Sequence, residues 1–547
     1  MTDITSLRPL FAVLVSAVAV VPILASRGRP NLREAWTVLA AVTKFGLVAS
    51  MVPGVLAGDV YVSNLGAFVP GIEFTLRADA LGLLFGLLAS LLWVVTSFYS
   101  IGYMRGLDEG HQTRYFASFA GSVSAAIGIA FASNLLVLFV FYELLTVATY
   151  PLVTHDQTAE ARAAGRKYLT YTFGGGVAVL AGTVLVYVLA GTTAFTPGGI
   201  ANLAAADPML ARVAFGLLVV GFGVKAALMP LHSWLPDAMV APTPVSGLLH
   251  AVAVVKSGVF GIARVTLDVF GPDAVAALGV GFALAAVAAA TLLIASVIAL
   301  RQDNLKRRLA FSTVSQLSYI VLGLAVGVSV DPERAAAYAL AGGLLHIPAH
   351  AFMKLTLFFC AGAIHVETHT DDISEMAGIG RRMPLTMTAF GIASLGMAGI
   401  PLVAGFVSKY FILVGTVSSG QLLFTGALLV SGVLNIAYFW PVVYTAFFES
   451  PEDGNSKPLL ESPFGGDRDV ATDGGHETDG HDGDGDSHGH GSGWESVGWR
   501  GGESTWLMLA PILFAVAGSV VLGIVPDAAI FLQLVRDVVQ AVTGVAI

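Results

Sequence analysis

The chain has 547 residues, 56% of them hydrophobic and 12% charged, with a formal net charge of −9 and a mean hydropathy of +0.78. A water-soluble chain carries about 25% charged residues, so a soluble enzyme is excluded, as are disordered and collagen-like chains. The single cysteine, Cys360, excludes a disulfide framework, a cysteine-ligated iron–sulfur cluster and a CxxC pair; with no phosphate loop, zinc motif or nucleophile–base pair, no cofactor and no metal site is expected.

Apolar runs long enough to cross a bilayer as helices fall at 8–25, 36–57, 79–103, 115–132, 134–153, 168–190, 211–231, 244–264, 274–300, 308–328, 336–364, 384–417, 422–448 and 505–525. The expected fold class is all-α integral membrane, with about fourteen transmembrane helices. In the first run the basic residues Arg27, Arg29 and Arg33 follow the apolar stretch, so it reads as a retained helix and not as a signal peptide. Residues 526–547 are mixed in polarity and are expected at the membrane interface. The expected organisation is 1–110, N-terminal helices; 111–265 and 266–449, two repeats; 450–504, an acidic cytoplasmic loop; and 505–547, a last helix with its tail.

Basic residues set the orientation. With the N-terminus outside, the loops at 26–35, 104–114, 154–167, 301–308, 365–383 and 450–504 face the cytoplasm and hold 17 of the 28 Lys and Arg. Outside loops and span ends hold six: Arg8, Arg77, Arg212, Arg264, Arg334 and Arg536. That excess places both termini outside a cell membrane. Residues 452–503 contain thirteen Asp or Glu, three Lys or Arg, four His and fourteen Gly. This segment reads as a disordered, solvated and salt-adapted loop, its histidines lacking a rigid ligand spacing.

The informative residues are ionisable groups inside apolar runs, which are expensive to keep there. Glu143 is the single acid deep in a span. Lys225 precedes Pro230 by five residues, and Lys256 follows His250 on another span. His346, His350 and Lys354 recur at i, i+4 and i+8, one stripe of a helix. Lys409 follows Pro401 by eight residues. Lys44, near the middle of the second run, reads as snorkelling to the interface or facing lipid. Burial disfavours the charged form and an opposite charge restores it, while histidine passes protons between its ring nitrogens. One acid, four lysines and three histidines on separate spans therefore read as a proton relay. The 174–176 glycines lie within a span, where small residues permit close helix packing.

Proline placement supports this reading. Lys225 with Pro230 and Lys409 with Pro401 are Gly/Pro-interrupted spans, with the proline after the lysine in one and before it in the other. Two halves related by an in-plane pseudo-two-fold show that arrangement, their broken helices lining the pathway.

These residues carry a family resemblance. KAALMPLHSWLPDAMVAPTPVSGLLHAVAVVKSGVF resembles the signature of the antiporter-like membrane subunits shared by respiratory complex I and Mrp-type cation/proton antiporters. RQDNLKRRLAFSTVSQLSYI, HIPAHAFMKLTLFFCAGAIH and GIPLVAGFVSKYF are similar to the next landmarks, in order; LRADALGLLF and VFYELLTVATYPLV resemble earlier ones. The resemblance covers roughly residues 75–450. It implies fourteen helices in two inverted five-helix repeats with broken helices. It also implies the family glutamate at Glu143, the first pumping lysine at Lys225, linking groups at His250, His346, His350 and Lys354, and the terminal lysine at Lys409. IHVETHTDDISEMAGIGRRMP followed by GIPLVAGFVSKY looks most like the Mrp D-type subunit. The large A-type Mrp subunit, like the complex I subunit with a lateral helix, extends well beyond a fourteenth helix, and the acidic insert has no family counterpart.

Two functions are implied: a subunit exchanging Na⁺ or K⁺ for H⁺, or the proton-pumping module of an oxidoreductase whose redox sites lie on other chains. The expected partners are other hydrophobic subunits of the same complex, H⁺ with Na⁺ or K⁺, and the lipid bilayer, with no nucleic acid.

Overall fold

The computed structural model describes residues 2–331, 333–450, 502–528 and 530–547. The acidic loop expected at 450–504 lies, apart from its edges, outside the described residues. Among the described residues, 13 helices are long and apolar enough to cross a membrane. In chain order the main helices are α1 (Arg8–Ala25), α2 (Pro30–Ala49), α3 (Ala80–Gly106), α4 (Gln112–Phe131), α5 (Leu135–Val153), α6 (Ala159–Ala190) and α7 (Pro208–Lys225). They are followed by α8 (Thr243–Val269), α9 (Gly281–Leu300), α10 (Leu305–Gly327), α11 (Glu333–Thr368), α12 (Pro384–Ala398), α13 (Ala404–Ser418), α14 (Leu422–Phe448), α15 (Trp506–Ile524) and α16 (Ile530–Thr543).

Short polar residues start many of these helices. Asp79, Asn134, Thr158, Asp207 and Asn304 each accept a hydrogen bond from the backbone N–H three residues on, opening α3, α5, α6, α7 and α10. Sorting into layers then follows side-chain chemistry. The apolar windows of α8, α10 and α11 are wholly buried, whereas α1, α6 and α14 expose Val18, Val184 and Val433. A polar side chain at the lipid boundary has no partner, so the helices rich in Ser, Thr, His and Lys occupy the centre.

The structure departs from the sequence reading in several places. Residues 384–417, expected as one span, form α12 and α13 with a break at 399–403, where Gly399 and Leu402 take φ of +89° and +77°. α7 stops at Lys225, and the chain turns through Ala227 (φ 54°) before resuming at Trp234. α8 runs to Val269 and carries two π turns, Leu248–Val252 and Val265–Val269. Such turns often mark functional positions, and the first contains His250. α11 runs unbroken through Pro348 for 36 residues.

A small sheet was not expected. β1 (Thr2–Thr5) pairs in parallel with β2 (Asp59–Val69), which pairs antiparallel with β3 (Ile72–Ala78). The alternation in VYV and FTLRA is short and lies between long apolar runs, so it is masked by the helical signal. The C-terminal α16 is amphipathic. It buries Phe531, Leu534, Val535 and Val538 while packing on α3 and α11.

Candidate functional site

All eight residues proposed for proton transfer lie on the central helices or on those packed directly against them. On α5, neither carboxylate oxygen of Glu143 has a hydrogen-bond partner among the described residues, and both are buried. The carboxylate rests on the backbone of α6: a Cβ at Gly176 would fall 1.8 Å from Glu143 Oε1. Of the 174–176 glycines, Gly176 therefore makes room for the acid, while Gly175 lets α6 approach Gly221 and Val224 of α7.

Lys225 ends α7 and is fully buried. Its Nζ donates to the Tyr142 carbonyl at 2.6 Å and lies 3.5 Å from the Tyr142 ring centroid. No ion pair within 4.0 Å links Lys225 with Glu143 among the described residues; the lysine is held by the residue next to the acid. α8 crosses at this point. A Cβ on Gly258 would lie 2.2 Å from the Ala226 nitrogen, so the glycine lets the helix pass against the break after Lys225.

From α8 the axis crosses to the second half. Lys256 Nζ lies 2.6 Å from His350 Nδ1 on α11, both side chains fully buried. His250 pairs through Nδ1 with Thr313 Oγ1 at 2.9 Å. The His346 and His350 rings are 6.2 Å apart, a gap that one bridging water spans. His346 is held at both nitrogens, by Ser408 Oγ at 2.8 Å and Gln316 Oε1 at 3.0 Å. Lys354 donates to Ser312 Oγ at 2.5 Å and to the Leu309 carbonyl at 3.0 Å. It is thus turned toward α10, whereas His350 meets α8, so the stripe fans out to different partners.

Lys409 on α13 donates to the Met397 carbonyl at 2.5 Å, a group freed where α12 ends, and Asn435 donates to the same oxygen at 3.0 Å. The Tyr319 ring stands between the last two groups of the axis, 5.5 Å from the His346 ring and 4.4 Å from Lys409 Nζ.

Lys44 departs from expectation. It is 0% exposed, sits 5.5 Å over the Trp93 ring, and its Nζ has no hydrogen-bond partner among the described residues. It neither snorkels nor faces lipid.

The 132–435 segment, which holds this whole axis, matches the family model described as NADH:quinone oxidoreductase/Mrp antiporter, TM. The chain belongs to that family. It is 33% identical over 389 residues to NADH-quinone oxidoreductase subunit N of Desulforudis audaxviator, covering 70% of this chain and 74% of the relative. It is 38% identical over 348 residues to the A-type subunit of the Na(+)/H(+) antiporter of Alkalihalophilus pseudofirmus, covering 62% of this chain but 42% of that protein. The chain spans about half or less of the A-type antiporter relatives it matches. Among solved structures, a chain of the Mrp complex from Dietzia sp. DQ12-45-1b superposes with a TM-score of 0.76 at 21% identity, and one of the archaeal membrane-bound sulfane sulfur reductase with 0.78 at 22%. Each covers 98% of both chains, a likeness of fold.

Several members of the axis escaped the sequence reading. Ser312, Thr313, Gln316 and Tyr319 form a polar stripe of α10 at i, i+1, i+4 and i+7 within FSTVSQLSYI. That periodicity was available, but uncharged side chains in an apolar run carry no cost signal as strong as a lysine's. A second missed group is Arg264, where α8 meets α3. It donates to both Asp79 oxygens, at 2.8 and 2.7 Å, and to Asp268 at 2.6 Å.

Proposed function

We propose that this protein is a proton-translocating subunit of a multisubunit membrane complex, most simply one that exchanges Na⁺ or K⁺ for H⁺ in the Mrp manner. The carrying observation is the Lys256–His350 contact, which joins the Glu143–Lys225 half to the His346–Lys409 half. A buried line of groups that can each exchange a proton is the physical requirement for moving one across a bilayer. In the mechanism, arrival of a proton at Glu143 changes the field at Lys225. The charge is then redistributed through Lys256, His350 and His346, with His250 and Lys354 alongside, and passes Tyr319 to leave from Lys409. The relatives named for Na⁺/H⁺ and K⁺/H⁺ antiport support the cation reading.

A second reading is supported by the subunit N relative, of which 74% is covered: the same axis would pump protons for an oxidoreductase whose redox centres lie on other chains. In either case α12 and α13 count as one broken crossing, which brings the total to fourteen. Both termini outside the cell membrane fit the distribution of basic residues, and repeats at 111–265 and 266–449 fit the broken helices at Lys225 and Lys409.

Everted vesicles carrying the assembled complex decide between the two. Addition of Na⁺ or K⁺ to an acid-loaded vesicle, without redox substrate, should collapse the pH gradient. Glu143→Ala should abolish this response while the complex still assembles. A gradient that responds only to a redox substrate would favour the second reading, and full antiport in Glu143→Ala would remove the acid from both.

A further inference from the structure

On the face that carries the excess of basic residues, the loops following α3 and α5 bring together side chains that the buried axis does not use. Glu109 stands in the first loop, His155 and Asp156 in the second, and one ligating atom of each lies within 4.8 Å of the other two. His155 Nε2 points to Glu109 Oε2 at 3.8 Å.

Two carboxylates near a surface are ordinary by themselves; the imidazole is not. The His155 side chain is 2% exposed, and among the described residues its buried Nδ1 has no hydrogen-bond partner. The Tyr115 ring packs edge-on against it at 5.8 Å, and Arg114 donates to its carbonyl at 2.7 Å. The residue is therefore held from both ring and backbone while its Nδ1 is left without a partner among the described residues, an expensive arrangement for a buried polar atom.

We propose that Glu109, His155 and Asp156 bind a first-row divalent cation of the Zn²⁺ or Mn²⁺ class. One imidazole nitrogen with two carboxylate oxygens suits such an ion, whereas an alkali cation has no use for the nitrogen. The charged groups around the site are Arg114 and His111 on the imidazole side and Lys306 and His365 near the carboxylates. A bound cation would relieve the repulsion between the carboxylates and tie the end of α3 to the end of α5, the helix that carries Glu143.

Calorimetric titration of the assembled complex with Zn²⁺ tests this, with thermal melting as a second readout. The four histidines of the 452–503 segment contribute equally to wild type and variants, so the difference isolates the site. Wild type should take up one equivalent more than His155→Gln. Glu109→Gln should weaken that equivalent by about ten-fold or more, and Zn²⁺ should raise the melting temperature of wild type alone. Asp156 is exposed, so Asp156→Asn disturbs no packing and keeps the test decisive if His155→Gln folds poorly. Equal stoichiometry and equal Zn²⁺-induced melting shifts in wild type and Asp156→Asn would overturn the proposal.

Discussion

Lys256 Nζ and His350 Nδ1 lie 2.6 Å apart in a fully buried contact between α8 and α11. The same imidazole is 6.2 Å from the His346 ring, so His350 is the junction through which one half of the axis meets the other. Lys256→Ala and His350→Ala should each reduce proton flux strongly, and the double variant should be no worse than the more damaging single one, because groups acting in one chain are not additive. A flux loss in the double variant equal to the sum of both, on a free-energy scale, would show that they act independently.

Gly176 gives a test of the acid that leaves the acid in place. A methyl group there would overlap Glu143 Oε1, 1.8 Å away, so Gly176→Ala must push the carboxylate off its position on α6. The expected result is a loss of flux approaching that of Glu143→Ala, with assembly intact; Gly174→Ala, whose Cβ meets nothing within 4 Å, should transport normally. Glu143→Asp should keep part of the activity, since the acid survives at shorter reach.

The Arg264 triad predicts a stability effect separable from transport. Arg264→Ala leaves the buried Asp268 and the partly exposed Asp79 without the guanidinium, and breaking a buried pair in this way costs about 3–5 kcal/mol where measured in other proteins. Thermal unfolding in detergent should report a clearly lower melting temperature, while flux per folded molecule stays near wild type. Loss of flux at unchanged stability would move Arg264 into the pathway.

Glu503 is expected to make stability pH-dependent. Its carboxylate accepts from the Leu385 and Thr386 N–H groups at the start of α12, at 3.1 and 2.9 Å, yet burial pushes it up to about 7. The folded chain therefore holds this proton more tightly than the unfolded chain, and its contribution to stability falls as pH rises from about 4.5 to about 7. Glu503→Gln carries no such proton. Melting temperatures compared at about pH 5 and about pH 8 should fall less in the variant than in wild type; equal slopes would contradict the assignment.

The parts of this fold that were legible in the sequence are those with a large energetic signature. A lysine or glutamate in an apolar run is rare enough to be read singly, which is why Glu143, Lys225, Lys256, Lys354 and Lys409 stand out. The breaks after Lys225 and before Ala404 were signalled by Pro230 and Pro401, but the helix ends were not, because a run of apolar residues does not record where the backbone turns. Tyr319 and Gln316 were missed since a tyrosine or glutamine reads equally well as packing. Lys44 shows the converse error: its burial over Trp93 depends on how α2 and α3 meet, which no single helix encodes. His155 and Glu109 lie 46 residues apart in polar loops, so only the fold brings them together.

The central claim is that protons follow the buried axis, which crosses from α8 to α11 at His350, and not the partly exposed titratable groups near the end of α11. His350 and His365 lie on the same helix, one fully buried beside Lys256, the other near the end of α11 and paired with Asp371 at 3.1 Å. Proton flux measured in reconstituted vesicles of the assembled complex, for His350→Ala and His365→Ala at equal protein content, compares them directly. The account predicts strong loss for His350→Ala and near wild-type flux for His365→Ala; equal losses, or a larger loss at His365, would contradict it.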